Sequence, residues 1–118
     1  MYDPIKDDLF CTEKGRGAFV NNSRIRFSST KTLENALFAF DDNKVFINFL
    51  KTPFFKNIDS ELRVFGCRCL DLAYLSSGKI DCYVSGAEFE KSPDPGILFI
   101  KESGGIMYKK KSLEKVFF

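Results

Sequence analysis

Cys67-Arg68-Cys69-Leu70-Asp71-Leu72-Ala73-Tyr74-Leu75-Ser76-Ser77-Gly78-Lys79-Ile80-Asp81-Cys82-Tyr83-Val84 decides the fold class, because two periodicities meet inside it. Leu70, Ala73 and Tyr74 fall at spacings of three and four, which places them on one face of a helix. Gly78 then stands where a helix ends, since glycine takes the left-handed conformation of a C-terminal cap at no steric cost. Beyond it the period drops to two. Ile80, Cys82 and Val84 alternate with Asp81 and Tyr83, as in a strand with one buried side. A helix over 67–77 feeding a strand over 80–84 predicts an α/β unit.

Working outward, Leu62 to Phe65 reads as a strand leading into Gly66, and Val45 to Leu50 as a short helix before Pro53. Glu34 to Phe40 is an apolar run ended by Asp41-Asp42-Asn43. On the other side, Ser92 is expected to cap a helix, with Pro93 at its first position and Pro95 still in the first turn, where backbone N–H groups have no intrahelical partner. Ile97, Leu98 and Ile100 give that helix its apolar content. Gly104-Gly105 ends it before a strand over Ile106 to Lys109. The first thirty residues are punctuated at Asp3-Pro4, Lys6-Asp7-Asp8, Gly15-Arg16-Gly17 and Asn21-Asn22. They predict an antiparallel meander with strands at Leu9–Thr12, Ala18–Val20 and Arg24–Phe27. The expectation is an α/β, α+β layered sandwich, with antiparallel strands over 1–30 and an alternating strand and helix subdomain over 31–118.

With 118 residues the chain has room for one core and not for two ordinary domains. Its 44% hydrophobic and 29% charged residues are those of a folding chain, not a disordered one. A net charge of +2, with Lys109-Lys110-Lys111 the one dense basic cluster, argues against nucleic acid as a partner. Asp3, Asp7 and Asp8 interrupt any targeting signal and no run approaches a bilayer span, so a cytoplasmic protein with no membrane partner is expected.

There is no histidine, which excludes Ser-His and Cys-His nucleophile pairs and histidine-ligated zinc within this chain. Cys67 and Cys69 would project about 200° apart on a helix, too divergent to share a metal. They and Cys11 and Cys82 are expected to be buried, reduced thiols. The 14 phenylalanines, clustered at Phe38, Phe40, Phe46, Phe49, Phe54 and Phe55, read as core.

Two stretches, in order, carry a family resemblance. The first is Tyr2-Asp3-Pro4 through Asp8-Leu9-Phe10, then Glu13-Lys14-Gly15-Arg16-Gly17-Ala18-Phe19 and Arg24-Ile25-Arg26. The second is Arg63, Gly66, Leu70-Asp71-Leu72-Ala73-Tyr74, Gly78-Lys79-Ile80-Asp81, Gly96 and Glu102-Ser103-Gly104-Gly105. Together they resemble the hairpin region and C-terminal signature of the inositol monophosphatase family, of the bacterial extragenic-suppressor type. The resemblance implies a magnesium-dependent phosphomonoesterase fold, usually dimeric, in which carboxylates hold metal ions that activate water. The family's Asp-Pro-x-Asp-Gly-Thr motif is not in this sequence, so the chain corresponds to a C-terminal portion, expected to hold no Mg²⁺ tightly and to lack turnover alone.

Position by position, the resemblance places substrate contacts at the turn Gly66-Cys67-Arg68. There Arg68 puts a bulky cation where a small residue is usual, able either to attract phosphate or to fill the pocket. The family's metal-binding Asp falls at Ser92, a poorer magnesium ligand than a carboxylate, and its Trp at Lys91. The family's substrate-contacting Glu falls at Ser85. Asp94 reads as a helix-dipole partner, Glu88 and Glu90 as solvated loop carboxylates, and Asp71 as a structural group hydrogen-bonded near its helix start. The partners implied are a separately encoded N-terminal half or a second copy, and a phosphorylated polyol if active. The alternative function is a non-catalytic protein-interaction module built on the same fold.

Overall fold

Where the polypeptide turns sharply, residue types that tolerate left-handed backbone are in place. Asp7, Asn21 and Asn22 take positive φ between the first strands, as do Gly15 and Gly17 in the next turn. In the computed structural model, which describes residues 1–30, 34–52, 60–86, 94–109 and 115–117, these turns join a four-stranded antiparallel sheet. Its strands are β1 (Tyr2–Asp3), β2 (Asp8–Glu13), β3 (Gly17–Val20) and β4 (Ser23–Ile25), in the order β1-β2-β3-β4. The expected meander is present, with β1 added to it and β4 ending at Ile25 rather than Phe27.

The second sheet is mixed. Its strands β5 (Leu37–Phe40), β6 (Glu61–Arg63), β7 (Cys82–Ser85), β8 (Met107–Lys109) and β9 (Lys115–Phe117) lie in the order β6-β5-β7-β9-β8. β5 runs parallel to both β6 and β7, while β9 joins β7 and β8 antiparallel. Helix α1 (Asn43–Leu50) connects β5 to β6, α2 (Arg68–Ser76) connects β6 to β7, and α3 (Pro95–Glu102) follows β7. Because β5 lies between β6 and β7, the connection through α1 leads outward to β6 on one face, and the connection through α2 returns across β5 to β7 on the other.

Three apolar clusters hold the layers. Val45 and Phe49 of α1 cover one face of the second sheet with Phe38, Phe40, Cys82 and Val84. Leu72 and Leu75 of α2 and Ile100 of α3 cover the other face with Ala39, Ile80 and Tyr83. Phe10, Ala18 and Ile25 of the first sheet close on Ala73 and Phe99, so the helix pair is sandwiched between sheets. Each fully buried phenylalanine in these clusters contributes about 1.5–3 kcal/mol of transfer free energy. Phe54 and Phe55 lie outside the described residues. The molecule is a layered, mixed α/β fold, as the two periodicities indicated.

Four expectations are corrected. The 80–84 segment was expected to bury one side, with Ile80 facing as Cys82 and Val84 do. β7 instead begins at Cys82 and is buried throughout, since helices cover both its faces, and Ile80 packs in the opposite cluster. The third helix is capped by Asp94, whose Oδ1 accepts from the Gly96 N–H at 2.8 Å. Asp94 precedes Pro95, and a residue before proline is forced out of the helical region, so the helix cannot start earlier. Ser92 and Pro93, the expected start, lie outside the described residues. Of the cysteines only Cys82 is buried; Cys11, Cys67 and Cys69 are exposed. Cys67 stands on the turn before α2 and Cys69 on that helix's outer side, whose inner side buries Leu72, Ala73 and Leu75. Asp71 makes no hydrogen bond among the described residues, through either carboxyl oxygen.

Candidate functional site

The carboxyl ends of three parallel strands meet at one edge of the second sheet, the edge at which open α/β sheets bind ligands. β5 ends in Phe40 and hands on to Asp41, β7 ends in Ser85, and β6 leads through Gly66 and Cys67 into Arg68 at the start of α2. Gly66 has φ +80°, a conformation that favours glycine, and so sets the strand-to-helix turn. Cys67 is the N-cap of α2 yet makes no capping hydrogen bond through its side chain.

The turn residues Gly66, Cys67 and Arg68 therefore stand together, and Arg68 ties them to the neighbouring strands. Its Nε and Nη2 donate to the two oxygens of Asp41 at 2.9 and 2.8 Å. Tyr83 Oη and Ser85 Oγ donate to the same carboxylate at 3.1 and 3.0 Å. Burial pushes the Asp41 carboxyl up, but the Arg68 guanidinium together with Ser85 and Tyr83 outweighs it and holds the group below the usual range. The hydrogen bond to Asp41 likewise raises Arg68. Burial pushes the Tyr83 hydroxyl up, aided by the Asp41 charge.

Asp41 and Tyr83 went unassigned in the sequence, where Asp41 served as a turn residue. The signal for Asp41 was its place directly after the apolar run of a parallel strand. Ser92, which the resemblance sets at the family's metal position, lies outside the described residues, as do Lys91, Glu88 and Glu90.

Beside this cluster, Asp71 is 1% exposed and its carboxyl is raised to about 6, first by burial and then by the Asp41 charge, with the Tyr83 hydroxyl opposing weakly. That hydroxyl is near enough to be felt but forms no hydrogen bond to Asp71.

Several other residues of the two quoted stretches act as stitches between layers. Glu102 accepts from the Gly15 and Gly17 N–H groups at 2.7 and 2.9 Å, joining α3 to the β2–β3 turn. Tyr74 donates to the buried Asp3 at 2.7 Å. Asp81 accepts from the Leu37 N–H at 2.8 Å and from the Ser28 hydroxyl.

A model of the inositol monophosphatase family matches residues 1–115. The chain belongs to the inositol monophosphatase family. It is 36% identical over 112 residues to a protein of Buchnera aphidicola subsp. Baizongia pistaciae named Nus factor SuhB, covering 91% of this chain and 42% of that protein. A Pseudomonas aeruginosa Nus factor SuhB is 33% identical over 116 residues, with the same coverage. The extragenic suppressor protein suhB of Bartonella henselae superposes with a TM-score of 0.80 at 28% identity, over 98% of this chain and 49% of that one. A Thermotoga maritima IMPase shares the fold, with a TM-score of 0.79 at 24% identity. The chain thus spans about half the length of the relatives it matches.

The family generally uses Mg²⁺, and the described residues do not fit that ion. Among them no three acids, cysteines or histidines gather at one point. Asp41 is saturated by an arginine and two hydroxyls, Asp81 is spent on a backbone N–H and a serine, and Asp71 is buried with a pKa of about 6. A hard dication needs several anionic oxygens converging on open space.

Proposed function

We propose that this chain is the C-terminal portion of an inositol monophosphatase-family fold that does not turn over substrate alone. The family reaction, Mg²⁺-dependent hydrolysis of inositol monophosphate or a similar phosphate monoester, would draw its metal-binding carboxylates from the half of the fold that this chain does not contain. In this reading residues 1–30 are the strands of the first subdomain and 31–118 the second. Gly66, Cys67 and Arg68 line the substrate side, and the protein works in the cytoplasm, with the complementary half or as a dimer.

The observation that carries the proposal is the Asp41 cluster. Arg68 and Ser85, at the two positions the family resemblance gives to substrate, are both turned onto an internal carboxylate, and that carboxylate is thereby withdrawn from metal binding. The test is a phosphatase assay on the purified 118-residue chain with inositol monophosphate and Mg²⁺. It is run with and without the portion of a SuhB relative that the chain does not cover. Silence alone and activity in the mixture are expected. Hydrolysis by the chain alone, rising with Mg²⁺, overturns the proposal.

The second reading is a non-catalytic interaction module, favoured by the exposed apolar residues Tyr2, Ile5 and Leu9 on the first hairpin. The relatives are named Nus factors rather than phosphatases, and on this reading the expectation that nucleic acid is no partner is given up. Silence in both arms, with a stable complex to another macromolecule, favours it.

A further inference from the structure

Four hydrogen bonds converge on the Asp41 carboxylate, from donors that come from two separate elements and three side chains. Oδ1 takes Arg68 Nε and Tyr83 Oη, and Oδ2 takes Arg68 Nη2 and Ser85 Oγ. The planar guanidinium fork matches the two oxygens of a carboxylate or of a phosphoryl group equally well. The hydroxyls approach from β7, at the edge formed by the carboxyl ends of the parallel strands, where open α/β sheets bind ligands. The Asp41 side chain is 8% exposed and that of Arg68 41%, so the arrangement is closed around the carboxylate and open on the arginine side. A surface ion pair formed for stability alone needs neither of the two buried hydroxyls.

We propose that Arg68, Tyr83 and Ser85 form a seat for a small oxyanion, a phosphate monoester or a carboxylate, and that Asp41 fills this seat from within. An outside anion binds only by displacing Asp41, which makes the contact autoinhibitory. The choice of a phosphorylated ligand rests on the reading of positions 66–68 and 85 given above; the seat itself rests on the geometry.

Removing the plug should open the seat. Asp41→Ala is expected to melt lower than the wild type in a buffer free of small oxyanions. It should recover on titration with inorganic phosphate or with acetate, saturably and at least tenfold more tightly than any effect on the wild type. Tighter recovery with phosphate supports a phosphoryl ligand, and tighter recovery with acetate a carboxylate. The double variant Asp41→Ala/Arg68→Ala should show no recovery. If Asp41→Ala does not fold, Asp41→Asn, of nearly the same shape and uncharged, is titrated by calorimetry, and phosphate affinity at least threefold above wild type is expected. Anion responses equal to the wild type's, or recovery that persists without Arg68, overturn the seat. Neither measurement involves turnover or a second polypeptide, so failure here leaves the phosphatase reading standing, and failure there leaves the seat standing.

Discussion

Among the described residues, Asp71 alone keeps a buried carboxylate without a hydrogen-bond partner. A buried carboxyl without hydrogen bonds favours its neutral form, which is why its pKa stands near 6 against about 3.9 for an unfolded chain. The sign follows from linkage. The folded state holds the proton more tightly, so no cost is felt below about pH 4; the cost grows as pH rises from about 4 to 6 and is full above that. Two pKa units correspond to roughly 3 kcal/mol at most. Asp71→Asn, which never ionises, is expected to be more stable than the wild type by roughly 1–3 kcal/mol at pH 7.5, with the advantage gone at pH 4. Denaturant unfolding at the two pH values checks this, and a difference that does not change with pH rules out the buried charge. Asp71 and Asp41 also mark where the sequence stops being informative. Both were visible as acids, one in a helix and one in a turn, but whether a carboxylate finds a donor depends on residues far along the chain. Arg68 is 27 positions from Asp41, and nothing local encodes that meeting.

Elements were far more legible, since each is specified by its own period. The helices at 43–50, 68–76 and 95–102 and the strands β2, β3, β4, β6, β7 and β8 stand within a few residues of the expected spans, and β5 lies in the run read only as apolar. The short strands β1 and β9 carry too few residues to show an alternation, and both went unread. Boundaries moved where proline chemistry decided them, as at Asp94-Pro95. Contacts between elements are a separate matter, and Gly96 shows why. A Cβ there would lie 2.3 Å from Leu72 Cδ1 and 2.8 Å from Leu72 Cβ, so glycine is what lets α3 approach α2. Leu72 is wholly buried and has nowhere to go. At Gly105 the two shortest clashes, 2.4 and 2.6 Å, are with the ring of Phe27, which is only partly buried, and the third, 2.8 Å, is with Cγ2 of the buried Ile100. Gly96→Ala should therefore cost about 1–3 kcal/mol despite alanine's better helix propensity, and Gly105→Ala less. Urea midpoints should fall in that order with unchanged slopes; the reverse order would mean that the α2–α3 approach is looser than drawn.

For the whole molecule, the unbalanced feature is the first sheet. Its inner face packs Phe10, Ala18 and Ile25 onto the helices, whereas its outer face carries Tyr2 at 55% and Leu9 at 50% exposure, with Cys11 exposed and Phe19 half-buried. Tyr2 stands opposite Leu9 and Cys11 opposite Phe19 in the strand register, so the apolar side chains adjoin. A shallow groove bordered by Cys11, Thr12, Glu13, Arg16 and Phe19 continues the same surface. A contiguous patch of this kind asks for cover, and the relatives hold more than half their length outside the matched region. If the proposed function is right, the complementary portion of a SuhB relative should bind here. Cys11 is a built-in reporter: its alkylation should slow at least tenfold in the complex. Leu9→Lys, at a half-exposed position that leaves the core untouched, should restore the free rate and weaken binding about tenfold or more, since a lysine charge would have to be desolvated against the incoming apolar layer. Binding that leaves Cys11 as reactive as before places the partner elsewhere. Slowing that depends only on the chain's own concentration assigns the face to a second copy instead.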